Sequence, residues 1–463
     1  MGSKDEGRSY PADTLGMDKE SMRRLGYAAV DAVIEHLENK NNEPAIDSAT
    51  PDSLLNALGG ALPEQPKASN ESFDLLVKTA LHHQQHGDHP RYFARVPGPS
   101  SFAAIIGEWL GTGFNTIAAS WPGGAGPSAI ELIVIDWLRQ LMDLPKDYDG
   151  VLVSGGSHAS LTAIAAVRGQ WGDGCVYLSD QTHASLIRAL FTLGFPRELI
   201  RVLPSDDRYR LSTASVEEAI ANDLQCGRRP LMVIATAGST NTGAVDPFHE
   251  LADLCEAQGL WLHVDGAYGA PAALTDSGAQ SLTGMNRADS LTLDPHKWLF
   301  QPYDAGCLLI KSGVLEPSFT MNPEYLKDVQ GSDHAVDFRN RGFELTRRSR
   351  ALKLWFSFRT YGVSKFREAI EYSIRLAEFA EEYLRKDTHR WEVVTPAQLG
   401  IICFALRGQS AQEHELRAQS LSESGFACVT TTKLKNRIVL RLCIINPLTT
   451  QRDIRETINR LGE

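Results

Sequence analysis

From residue 151 onward one pattern repeats: a short apolar run, a turn of Gly, Ser and Thr, then a stretch with apolar residues three and four apart. GVLV leads through SGGSH into ASLTAIAAVRG, CVYLS leads through DQTH into ASLIRAL, LMVIAT runs into AGSTNTG, and LWLHVD ends at Asp265. Apolar strands of this length alternating with helices predict a mainly parallel sheet covered on both faces. LTL before Asp294 and Cys307 to Ile310 read as two more strands, joined by a bend that carries DPHKW. Ligands on such sheets bind beyond the carboxyl ends of the strands, and every polar cluster above sits at such an end.

The flanks read differently. Residues 17–38 have helical spacing with Asp18 as N-cap, a short helical piece follows around Leu54 to Leu58, and SFDLLVKTALHHQQH resumes a helix. The apolar stripe of residues 1–85 is too narrow for a compact domain, so this arm is expected to pack on something else, such as a second subunit. HPRYFARVPGP reads as an ordered loop, for binding or for packing, and residues 101–142 as helices broken by SWPGGAGPS. Residues 311–345 are mostly polar, and LKDVQGSDHAVDFRNRG has no period; a mobile surface loop is the default reading and a lid the sharper one. Helix returns over residues 347–386. The strands LGIICFAL and RIVLRLCII then alternate with two helices, as in a smaller α+β domain. The expected division is 1–85, 86–360 and 361–463.

Composition narrows the function. A net charge of −11 without a basic cluster argues against nucleic acid and anionic membrane as partners. No apolar run approaches the roughly 20 residues that span a bilayer, and MGSKDEGRSY has no signal-peptide core. Seven cysteines are scattered singly from Cys175 to Cys443, which suits a reducing cytoplasm and gives no metal site.

Lys297 lies on the bend between two strands, where it is either a paired structural charge or an amine ready to form a Schiff base with an aldehyde. Gly156 and Ser157, in a Ser/Gly turn entering a helix, are either a tight turn or a phosphate cradle. Neither GxxxxGK[ST] nor GxGxxG occurs at this turn, which leaves a phosphate ligand other than the common nucleotides. Asp265 closing an apolar strand needs a positive partner: an Arg or Lys, or a protonated pyridine nitrogen. His183 and Thr240 stand at two further strand ends, as structural residues or as ring-stacking and hydroxyl contacts.

The order Ser/Gly turn, His, Thr, Asp, Lys resembles the large domain of fold-type I pyridoxal-phosphate enzymes. HPRYFARVP, ELIVIDWL, SDQTH, HVDGAY, DPHKW and RRSRALKLWF are similar, more closely, to the group II amino-acid decarboxylases, the family of aromatic-L-amino-acid decarboxylase. The resemblance implies an aspartate-aminotransferase-like α/β fold, a homodimer with the active site between subunits, and pyridoxal phosphate bound to Lys297. It further implies that Asp265 pairs with the pyridine nitrogen, His183 stacks on the ring, Thr240 lies near the phenolic oxygen, and Gly156 and Ser157 hold the phosphate. Asp294 and His296 would complete the cofactor site, and Tyr325, in NPEYLK, would give the proton to Cα. Aldehyde-forming relatives carry phenylalanine at that place, so Tyr325 favours plain decarboxylation.

The substrate positions depart from the animal aromatic enzymes. Arg95, Val96, Pro97 and Gly98 replace Tyr-Phe-Pro-Thr, Ala119 replaces a phenylalanine, Asp294 an asparagine, Thr346 a glycine and His158 a glutamate, while Arg347 matches. The expected function is decarboxylation of an L-amino acid in the cytoplasm, with an aromatic substrate. The alternatives are an acidic amino acid met by Arg95, an aldehyde-forming oxidative decarboxylation, and a silent cofactor-binding protein.

Overall fold

A computed structural model describes residues 15–321, 324 and 335–463. The expected proton donor, Tyr325, lies outside the described residues. The chain forms two compact units, one reaching to His86 and one from Gly87 to Glu463.

In the first unit, Asp18 caps the helix Lys19–Asn39 by accepting the Ser21 N–H at 2.9 Å. Thr50 caps a second helix, Pro51–Leu58. A third, Ser69–Leu75, runs on through one wider turn, Leu76–Ala80, and stops before HHQQH, where helix was expected to continue. The physical reason is local pairing: the Asp47 carboxylate meets His82 at 2.9 Å and His83 at 3.4 Å, and Ile46 bridges to Gln85. None of these helices buries a residue, and Met22, Tyr27, Leu55 and Leu76 stay exposed.

The second unit is built on a seven-stranded sheet. Its strands are β1 (Tyr148–Val153), β2 (Cys175–Ser179), β3 (Ile200–Leu203), β4 (Pro230–Thr236), β5 (Trp261–Asp265), β6 (Ser290–Leu293) and β7 (Gly306–Lys311), in the order β1-β7-β6-β5-β4-β2-β3. Only β7 runs against the others, antiparallel to β1 and β6. Helices cover both faces, so β2 and β6 are buried along their whole length, which is why they read as unbroken apolar runs. β3 went unread because it is the edge strand, with Val202 about half exposed.

A smaller antiparallel sheet holds β8 (Trp391–Gln398), β9 (Ile401–Leu406), β10 (Thr430–Leu434) and β11 (Arg437–Cys443), in the order β10-β11-β9-β8. Before it runs the helix Ala351–Arg385, broken at Gly362 by a left-handed φ of 70°. The mobile-loop reading of residues 311–345 fails at both ends that are described. Leu315–Phe319 is helical, and Phe338, Arg339 and Arg341 are buried, the last reaching Glu316 at 3.1 Å. Charged side chains made that stretch look like surface, but each of those arginines has a carboxylate within reach.

Candidate active site

The site grows from the bend of residues 294–305, between β6 and β7. The Lys297 N–H donates to the Asp294 carbonyl at 2.9 Å, and the His296 N–H to the Ala305 carbonyl at 3.2 Å, which pins the bend at both ends. The Lys297 ammonium then stands 3.2 Å from Asp294 Oδ2, with the lysine side chain 23% exposed. His296 Nδ1 accepts the Ala305 N–H at 3.1 Å, so Nε2 carries the proton and faces Asp294 Oδ2 at 3.6 Å. Burial pushes the His296 pKa down, and Asp294 opposes that shift.

Asp294 is itself buried, and its Oδ1 has no hydrogen-bond partner. The turn Ser154–Ser157 lies against it: a Cβ on Gly156 would stand 3.1 Å from Asp294 Oδ2 and 2.9 Å from Ala267 Cβ. Gly155 caps the helix Gly156–Trp171 with no side chain, so the first N–H groups of that helix are left for a ligand. Asp265 ends β5 in register with Thr236 and Thr292, and its Oδ1 accepts the Ala267 N–H at 3.1 Å. Behind it His263 is clamped between Ser290 Oγ at 2.8 Å and Ser160 Oγ at 3.2 Å, and burial pushes its pKa down to about 4.

Gly156, Asp265, Asp294, His296 and Lys297 line one cavity of about 370 Å³ that also takes in Ser157, His183 and Thr240. His183 caps the helix Ala184–Thr192, its Nδ1 2.7 Å from Ser185 Oγ, and the Thr240 carbonyl is held by Arg441 Nε at 2.9 Å. Gly156, Ser157, His183, Thr240, Asp265, Asp294, His296 and Lys297 are therefore brought together from five separate stretches of chain.

The expected substrate residues lie apart from that lining. Gly98 packs on the bend so closely that a Cβ would collide with the His296 carbonyl oxygen. Pro97 is buried beside it and Arg95 is exposed. Ala119 is buried, its carbonyl accepting the Arg339 N–H at 2.9 Å. Arg347 lies deep in the core. Its side chain is 2% exposed and bonds Glu131 at 2.7 and 2.9 Å together with the Ala118 and Leu152 carbonyls.

Among the other lining residues, the sequence reading assigned no role to Tyr268 and saw His158 only as a departure from the family's glutamate. Tyr268 stacks on Trp298 at 5.1 Å and accepts the Gly400 N–H at 2.8 Å; its place three residues after Asp265 was the signal. His158 lines the cavity with Nδ1 3.3 Å from Ser154 Oγ, and burial lowers its pKa.

An uncapped helix start, a cradle closed to any Cβ and an amine on a bend fit a phosphate-bearing aldehyde such as pyridoxal phosphate. With the mostly parallel sheet, that chemistry places the chain in the fold-type I class of pyridoxal-phosphate enzymes. It belongs to the pyridoxal-dependent decarboxylase family, whose conserved domain matches residues 51–407, and is a carboxy-lyase. The chain is 42% identical to an aromatic-L-amino-acid decarboxylase of Bacillus atrophaeus, over 97% of this chain and 96% of that one. It is 30% identical to a phenylacetaldehyde synthase of Arabidopsis thaliana, over 95% of each. The crystal structure of Oryza sativa TDC with PLP and tryptamine matches with a TM-score of 0.90 and 29% identity, covering 96% of this chain and 97% of that one.

Proposed function

We propose that this enzyme removes the α-carboxylate of an aromatic L-amino acid and releases the amine. The observation that carries the substrate class is the 42% identity, over nearly the whole chain, to an aromatic-L-amino-acid decarboxylase. When bound, pyridoxal phosphate supplies an electron sink for the pair released as the Cα–carboxylate bond breaks. Lys297 would hold the cofactor through its amine, and the N–H groups of Gly156 and Ser157 would take its phosphate. Asp265 would keep a proton on the pyridine nitrogen, His183 would cover the ring, and Thr240 would meet the phenolic oxygen. His296, with its proton on Nε2, orders the Asp294 carboxylate beside the lysine. Tyr325 gives the proton to Cα.

The protein is read as a homodimer, because the N-terminal helices bury nothing within the chain and leave Met22, Tyr27 and Leu76 uncovered. The compartment is read as the cytoplasm, in line with seven free cysteines. Among the described residues no helix is long and apolar enough to cross a membrane.

One observation favours a second reading: the phenylacetaldehyde synthase is also similar over 95% of the chain. The deciding experiment incubates cofactor-loaded protein with a panel of L-amino acids and follows CO₂, product mass and hydrogen peroxide. Amine from tryptophan, tyrosine, phenylalanine or DOPA supports the proposal. Aldehyde with peroxide replaces it by the second reading, and turnover of acidic amino acids alone overturns the substrate class.

A further inference from the structure

We propose that the N-terminal unit holds a zinc-type metal site made by His36, Glu43 and His86. The sequence offered none, because cysteine spacing was the signal sought; this cluster contains no cysteine and is assembled only by folding. His36 lies in the last turn of the first helix, Glu43 in the loop after it, and His86 at the end of the stretch that Asp47 draws out of helix. One ligand atom of each lies within 4.8 Å of the other two.

The geometry suits a small cation. Zinc holds nitrogen and oxygen ligands at about 2.0–2.1 Å, which makes a tetrahedral edge roughly 3.3 Å long. His36 Nδ1 and Glu43 Oε2 are already 3.1 Å apart. The edges to His86 need to close by about 1.5 Å at most to reach the same length. Two imidazoles and a carboxylate are a borderline donor set that zinc favours, with the fourth position left to water.

A second observation comes from His86 alone. It is 5% exposed, and its Nε2–H donates to the His82 carbonyl at 3.1 Å, which leaves the lone pair on Nδ1. That Nδ1 is buried without a hydrogen-bond partner. A carbonyl that fixes one ring nitrogen while the other is left buried with its lone pair free is how metal-binding histidines are prepared. Bound metal would tie the end of the first helix to residue 86 and close a loop of about fifty residues, so its role is structural.

The test uses cofactor-loaded protein with the exposed Cys226 changed to serine, stripped with EDTA and dialysed against zinc, with bound metal counted by elemental analysis. The expected result is one tightly bound zinc per chain and a higher melting temperature with zinc than without. Glu43→Gln and His36→Gln, whose side chains are 30% and 34% exposed, should each weaken binding by about tenfold or more. His82→Ala, outside the cluster, should leave binding unchanged. Helical circular dichroism and zinc-free melting equal to those of the parent certify that each variant is folded, which His86→Ala, at a buried position, would not guarantee. Absence of tight zinc in the parent overturns the site, as does equal affinity in the parent and both cluster variants.

Discussion

Lys297 and Asp294 form an ion pair of 3.2 Å across three residues of one bend, and the carboxylate keeps its other oxygen buried and unpartnered. The pair holds the amine in place before any aldehyde arrives. Asp294→Asn keeps an acceptor for the lysine and should retain kcat/KM within about tenfold. Asp294→Ala removes the acceptor and should fall well below that. Steady-state rates for the two variants check the ordering; equal losses would mean that the negative charge, not the hydrogen bond, is what matters.

Lys297→Ala should abolish the visible absorption of the lysine-bound cofactor and lower turnover by roughly a thousandfold or more. A spectrum identical to that of the parent would remove Lys297 from its role.

Gly98→Ala should push the 95–98 loop off the lysine bend, because the added methyl meets the His296 carbonyl, which is backbone and cannot rotate away. Overpacking of this kind costs about 1–3 kcal/mol. Thermal unfolding should show that loss together with a lower kcat/KM, and a variant equal to the parent in both would show that the loop gives freely.

Arg347→Met should destabilise the protein by about 3–5 kcal/mol, since it strands the Glu131 carboxylate in the core. Adding Glu131→Leu should recover much of that loss. Urea unfolding of the single and double variants measures both. A rise in KM with stability unchanged would instead return Arg347 to the substrate.

His263 should make the enzyme sensitive to acid. Its folded pKa lies near 4 against an ordinary 6.5, so on acidification the unfolded chain takes up the proton first. The stability that the neutral ring contributes is therefore whole above the ordinary value and is lost as pH falls toward 4, by about 3 kcal/mol in all. Unfolding free energy followed over that window should be flatter in His263→Gln than in the parent, and parallel curves would rule the histidine out.

The central sheet and the cofactor side of the site were legible because of how β4, β5 and β6 are buried. Strands covered on both faces are apolar throughout, so Asp265 and the DPHKW bend stand out as the places where the pattern stops. What could not be read depends on partners far away in the chain. Arg347 entered as a substrate position through the family resemblance alone, and its pairing with Glu131, 216 residues distant, could not be read. HHQQH kept helical spacing, but the Asp47 carboxylate that unwinds it comes from another loop. β10, TTTKL, lacks an apolar run because most of it is only half buried, so nothing in its composition announces a strand.

The single reversed strand has a further consequence. Because β7 runs backward, Gly306 at its start sits opposite Val153, the last residue before the Ser/Gly turn, and Cys307 sits opposite Leu293, the last before the lysine bend. One hydrogen-bonded ladder thus acts as a ruler between the amine and the helix start that faces it, and loop substitutions cannot reset its length. Efforts to widen or narrow the range of substrates should therefore leave the bend alone and begin at His158, which lines the same cavity.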